Sequence, residues 1–171
     1  MSKNIKNIGE VISEIANFAN VAVPAGVIEF QKILVQELHR LVLTKTPIDK
    51  GVLRGNWLLT IDSVDETYDK DKRTTADSTG ASLTPEEESD VEKILTELTA
   101  MGLGHTVHLS NSTPYAMKAE VDGWSANSPP YCMVALSLQE IYTAIGAARK
   151  QFEQTVNSLQ SNVKVKYAAN V

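Results

Sequence analysis

Between Ala25 and Leu43 the residues Phe30, Leu34, Leu38 and Leu41 recur at intervals of three and four, and Val27, Ile33 and Val42 widen the stripe. This spacing predicts a helix whose apolar face is too broad to stand alone in water; a sheet or a second helix has to cover it. A candidate cover lies near the other end of the chain. Leu136, Ile141, Ile145, Phe152, Val156 and Leu159 predict a helix from about Met133 to Leu159. With 171 residues, 43% of them hydrophobic, the chain has enough material for one such core.

The other elements follow from pattern and punctuation. Ile5, Ile8, Ile12, Ile15 and Ala19 form a stripe over residues 5–20, and Pro24 and Gly26 are expected to separate this helix from the next. Pro47 should end the second helix, because the residue before a proline is driven out of the helical region. Val52 to Asp62, with Trp57, Leu58, Leu59, Thr60 and Ile61, reads as a strand. Residues 63–83 are polar and aperiodic and read as a long loop, expected to be mobile in a free subunit. Thr84, Pro85 and Glu86-Glu87-Glu88 mark a helix start, with a capping hydroxyl, a proline at the first helical position and acids at the positive end of the dipole. Gly102 and Gly104 end that helix, and His105 to Leu109 alternates as a second strand. Prolines and glycines break up residues 111–132, and Ser161 to Val171 is either an added strand or a loose end. The expected architecture is α+β: a small, mainly antiparallel sheet packed against two long helices, with an acidic loop-helix insertion. The expected division is an N-terminal helical extension over 1–24, one domain over 25–160 with its insertion at 63–101, and a tail at 161–171.

The net charge of −5 argues against a protein that binds nucleic acid by neutralising phosphates. Residues 62–92 hold 11 of the 21 acids and 3 of the 16 bases, so this one segment owns the acidity. The plain reading is a solvated surface. The apolar runs are three or four residues long, against roughly 20 for a bilayer span, so no membrane helix and no signal peptide are expected. Cys132 is the only cysteine, which fits a reducing compartment.

Two stretches are dense in turn formers and aromatics. The first, Thr46-Pro47-Ile48-Asp49-Lys50-Gly51-Val52-Leu53-Arg54-Gly55-Asn56-Trp57, closes a helix and turns the chain. Asp49 can accept from amides two residues on, and Gly51 can take a positive φ at little cost. The second runs Asn111-Ser112-Thr113-Pro114-Tyr115-Ala116, then Glu120-Val121-Asp122-Gly123-Trp124-Ser125, then Ser128-Pro129-Pro130-Tyr131-Cys132-Met133-Val134.

Together, and in this order, the two stretches resemble the signatures of the neck, tail-completion or minor tail-component family of long-tailed bacteriophages. The first family signature is Thr-Pro-Val-Asp-Thr-Gly, a short gap, then Leu-or-Ala-Arg-Gly-Asn-Trp. The second is Asn, a gap, Pro-Tyr-Ala, then Glu-Tyr-Gly-Trp-Ser, then Ala-Pro-x-Gly-Met-Val. The resemblance covers roughly residues 25–145 and is carried by Pro47, Asp49, Gly51, Arg54, Gly55, Trp57, Asn111, Pro114, Tyr115, Glu120, Gly123, Trp124, Pro129 and Met133. Lys50 and Asp122 depart from it, and Pro130-Tyr131-Cys132 replaces a small residue and the glycine before Met133, a glycine whose backbone conformation a cysteine resists. The resemblance implies a structural virion protein rather than an enzyme. It would be a homo-oligomeric ring at the head–tail junction, six subunits preferred and twelve possible, assembled in the host bacterial cytoplasm with other neck and tail proteins. It implies no cofactor, no metal, no membrane and no sequence-specific nucleic-acid binding.

Other chemistries find less in the sequence. His105 and His108, three apart on a strand, face opposite ways and suit a shared metal poorly. Ser125 in Gly123-Trp124-Ser125-Ala126-Asn127 lacks the last glycine of a nucleophile elbow, and Cys132 with His108 is a pairing that one cysteine and three histidines offer by chance. Gly102-Leu103-Gly104 lacks the third glycine and the preceding strand of a dinucleotide site. Trp57 and Trp124 are core or interface anchors, and Arg54 is a surface ion-pair partner or an inter-subunit contact. A tail-tube or tail-tip component is the competing reading and a small hydrolase the third.

Overall fold

A computed structural model describes residues 8–77, 79–125 and 129–168. Its elements are α1 (Ile8–Asn17), a π-helical segment (Phe18–Ala22), α2 (Val23–Lys45), a single turn α3 (Val52–Gly55), β1 (Leu58–Ile61), α4 (Pro85–Met101), β2 (Val107–Ser110), a second π-helical segment (Lys118–Asp122) and α5 (Met133–Ala168). The protein is mixed α+β with mostly helical content, and the two strands among the described residues form one antiparallel sheet.

The broad stripe of α2 is covered mainly by α5. The two run antiparallel: Lys45 pairs with Glu140 at 2.7 Å, while a Cβ at Gly26 would lie 2.7–2.8 Å from Phe152 and Val156. Ala144, Ala148 and Val156 of α5 are buried, as are Leu41, Val42 and Leu43 of α2. The capping signal at Thr84 is realised as a reciprocal box. The Thr84 hydroxyl accepts from the Glu87 amide at 3.2 Å, and the Glu87 carboxylate accepts from the Thr84 amide at 2.9 Å. From there α4 lays Val91, Ile94 and Leu98 into the interior, each contributing about 1.5–3 kcal/mol, and Gly102 closes the helix at φ 89°. The strands pair Leu58 with Ser110 and Ile61 with Val107.

Several expectations need correction. The helix does not break at Pro24. The Val23 amide bonds back to the Phe18 carbonyl in the wider π repeat, and this registers the chain so that a residue with no N–H to give can follow inside a continuous helix. The continuous helix Val11–Lys45 is therefore long and apolar enough to cross a membrane by length and composition, a possibility the short apolar runs had set aside. Val52 to Gly55 is helical rather than extended; Gly51 at φ 76° starts a turn that the Gly55 amide closes onto the Gly51 carbonyl at 3.0 Å. β2 begins at Val107, leaving His105 outside it, where its Nδ1 lies 2.6 Å from Asp62 Oδ2. α5 runs on to Ala168, so the added strand does not form there; residues 169–171 lie outside the described residues.

Candidate functional site

The first signature segment is assembled from the end of α2 outward. Thr46 caps α2, its amide donating to the Leu43 carbonyl at 3.1 Å and its hydroxyl to the Val42 carbonyl at 2.7 Å. Trp57 donates its indole N–H to that hydroxyl at 2.8 Å, so the turn brings residue 57 back beside residue 46. Pro47 follows the extended Thr46 and is half-buried. Asp49 is exposed and makes no side-chain hydrogen bond among the described residues. The turn is held instead from the 63–83 loop: Arg73 donates to the Lys50 carbonyl at 2.8 Å and the Thr74 amide to the Gly51 carbonyl at 3.1 Å. That loop passes so close that a Cβ at Gly55 would lie 2.9–3.0 Å from the backbone of Lys72, Arg73 and Thr74, which explains the glycine.

Arg54 is neither on the surface nor available to another subunit. It is 1% exposed. Its Nε and Nη2 grip the Glu87 carboxylate at 2.9 and 2.8 Å, and Nη1 and Nη2 donate to the Gly80 and Ser82 carbonyls at 2.8 and 2.6 Å. Burial alone would raise the Glu87 pKa, but hydrogen bonds from Arg54, Thr84 and Thr74 outweigh it and hold the group below the usual carboxylate range. Asn56, also buried, binds both the amide and the carbonyl of Asp69 at 2.9 Å. The acidic loop is irregular, as its composition implies, yet it is pinned at Asp69, Thr74, Gly80 and Ser82.

The second segment locks onto the first. Asn111 donates to the Leu53 carbonyl at 2.7 Å and accepts from the Thr113 amide and hydroxyl at 3.1 and 2.9 Å. Leu53, Ala119 and Met133 form a buried cluster, with Trp57, Tyr115 and Ala116 packed against it. Glu120 turns its carboxylate to the start of α5 and accepts from the Val134 and Ala135 amides at 3.1–3.2 Å, satisfying donors that the helix cannot. Gly123 leaves the π-helical segment at φ 70°. Cys132, where the resembled signature has glycine, is at φ 51°, in the left-handed region that a side chain resists.

The same segment also leaves a ridge outside. Pro114 and Pro129 are exposed. Met117, Val121, Trp124 and Tyr131 are exposed apolar side chains, with Trp124 48% exposed. Tyr131 meets the Trp124 ring edge-on at 6.3 Å between centroids, and the Lys118 ammonium lies 5.9 Å above it. Of the two tryptophans, Trp57 is half-buried against the Leu53 cluster, whereas Trp124 lies on the surface. Residues 126–128 of this segment, with the end of the supposed nucleophile elbow, lie outside the described residues.

The histidines are dispersed. His105 is held by Asp62, His108 pairs with Thr60 across the sheet, and His39 is buried on α2. The Cys132 thiol points to the Pro130 carbonyl at 4.0 Å. Among the described residues no cluster of three or more His, Cys, Asp or Glu could hold a metal. His39 is a site residue that sequence reading missed. Its Nδ1 has no partner, and it lines a cavity of about 40 Å³, shared with Arg54, Thr84, Glu87 and Asp90, that has room for a water molecule. The one local signal was its place three residues before Val42, just beyond the edge of the α2 stripe. No family model, curated protein or solved structure matches the chain.

Proposed function

We propose that this chain is a structural, non-enzymatic subunit of a ring at the neck of a tailed bacteriophage, joining the DNA-filled head to the tail. The reading rests on the resemblance of residues 46–57 and 111–134 to the two neck signatures. One observation carries it beyond resemblance: the polar signature residues interlock inside the chain, Arg54 with Glu87, Asn111 with Leu53, Glu120 with the start of α5, while the ridge of Trp124 and Tyr131 is left outside. A segment so firmly anchored from within presents its aromatic ridge rigidly, and exposed aromatics on rigid supports make interface centres. Cys132 supports the same reading, since its positive φ falls where the resembled signature carries glycine.

In this reading residues 25–160 are the ring domain, and the sheet and long helices are its frame. Residues 63–101 are an acidic insertion facing solvent or a basic surface of the adjoining ring rather than the DNA channel. Glu87 takes no part in that surface because Arg54 holds it inside; Asp69, Asp71, Glu86 and Glu88 are exposed. The ring has six copies, with twelve the second choice.

Complementation tests this. Trp124→Ala and Tyr131→Ala should give folded subunits of near wild-type stability that leave full heads and free tails unjoined. Normal joining by both variants would overturn the assignment of the ridge.

A further inference from the structure

We propose that the segment from Asp69 to Thr74 is an acid-released strap: it closes one wall of the cavity that holds His39, and it lifts from the body of the protein when His39 takes up a proton. The device belongs to the fold and works whatever the chain assembles with.

The strap has nothing apolar to hold it down. Its sequence is Asp69-Lys70-Asp71-Lys72-Arg73-Thr74, in which Thr74 is half-buried and the other five are exposed. Among the described residues, hydrogen bonds tie it to the body. Asn56 holds the amide and the carbonyl of Asp69 at 2.9 Å, and Arg73 donates to the Lys50 carbonyl at 2.8 Å. The Thr74 amide donates to the Gly51 carbonyl at 3.1 Å and its hydroxyl to the Glu87 carboxylate at 2.8 Å. Each of these bonds replaces one to water, so its net hold is small. The helices behind it are held differently, with Leu41, Val42, Ala144 and Ala148 buried. An element tied down by hydrogen bonds alone opens locally while such a core stays closed.

Behind the strap lies a group that acid can charge. His39 is 3% exposed and its Nδ1 has no partner. The charged side chains around its cavity are Lys72 and Arg73 of the strap, Arg54 of α3, and Glu86, Glu87 and Asp90 of α4; the described residues of α5 contribute none. Burial lowers the His39 pKa from 6.5 to about 4; Glu87 and Asp90 favour the proton, Arg54 opposes it, and burial prevails. With the strap lifted, water reaches the ring and the pKa returns toward 6.5. The open state then binds a proton that the closed state does not. The closed strap is therefore fully favoured above pH 6.5 and loses ground as pH falls toward 4. At pH 5 the opening equilibrium is raised about 25-fold over pH 7.5. Glu87, Asp65 and Asp77 are all held below the usual carboxylate range, so they keep their charge in this window.

The test is amide exchange of the full chain by NMR at pH 7.5 and pH 5, read as protection factors, with and without urea below the unfolding transition. The Thr74 amide should lose about 25-fold of its protection at pH 5. That loss should depend little on urea, because lifting the strap exposes little surface. The amides of Val42 and Ala148 should stay better protected at both pH values and respond steeply to urea. His39→Gln, which cannot titrate, should abolish the pH-dependent loss at Thr74, and His39→Leu is the second variant in case glutamine disturbs the packing. Thr74 protection that follows urea as Val42 and Ala148 do overturns the proposal, since the strap then leaves only with the whole fold. So does Thr74 protection that is the same at both pH values, and so does a loss that persists in both His39 variants, which makes a carboxylate the sensor.

Discussion

Arg54 and Glu87, thirty-three residues apart, meet inside the protein in a two-pronged pair at 2.9 and 2.8 Å. The pair joins the first signature segment to the first turn of α4, where Glu87 also completes the capping box of Thr84. One carboxylate thus fixes a helix start, a buried guanidinium and, through Thr74, the loop between them. The arginine accordingly secures the fold that carries the exposed Trp124–Tyr131 ridge.

Arg54→Ala should therefore destabilise the subunit itself, by about 3–5 kcal/mol, because it leaves a buried carboxylate unpaired. Arg54→Lys should recover only part of this, since an ammonium cannot serve Glu87, Gly80 and Ser82 in the same fork geometry. Urea unfolding measures both; wild-type stability for Arg54→Ala would contradict the buried pair.

Acid should weaken the fold in two stages. Burial drops the His39 pKa from 6.5 to about 4, with Glu87 and Asp90 opposing the drop and Arg54 adding to it. The unfolded chain then binds the extra proton between these values, so stability is full above pH 6.5 and declines as pH falls toward 4, by roughly 3 kcal/mol. Glu87, depressed in the folded state, adds its loss at lower pH still, as pH falls through its folded pKa. Urea midpoints for His39→Leu should lose the first stage and keep the second. A His39→Leu profile identical to wild type between pH 7 and 5 would refute this role.

Cys132→Gly should raise stability by up to ~1 kcal/mol, because glycine takes φ 51° without the strain a side chain meets there. Cys132→Val, branched at Cβ, should lower it. A fall in melting temperature for the glycine variant would show that the left-handed conformation is not the ground state.

Amide exchange in the 63–83 loop should be uneven. The Asp69 and Thr74 amides, bonded to Asn56 and to the Gly51 carbonyl, should exchange slowly, and those of Val64 and Glu66 quickly. Asn56→Ala should release Asp69. Uniformly fast exchange would restore the picture of a loose loop.

The sequence disclosed the elements whose physics is local. The α2 and α5 stripes, the Thr84 cap and the Gly102 stop all depend on neighbours within a few residues. It concealed what depends on distant partners. Pro24 reads as a breaker unless the π repeat before it is known, and Val52 to Gly55 reads as a strand because nothing local announces that Asn111 and Thr74 hold it as a turn. Arg54 reads as a surface ion-pair partner or an inter-subunit contact because its partner, Glu87, reads locally as one of three acids at a helix start, thirty-three residues away. Of the candidate site, the two segments were legible as units, but the split between an anchoring interior and an exposed Trp124–Tyr131 ridge was not, since both faces use the same residue types.

The most direct measurement of the central claim is an electron-microscopy reconstruction of the neck of virions that carry this chain, with the subunit fitted into density. The account predicts a closed ring of six copies between head and tail, with Trp124 and Tyr131 at a contact with a neighbouring chain. Copies repeated along the tail tube, or a neck without this chain, would contradict it.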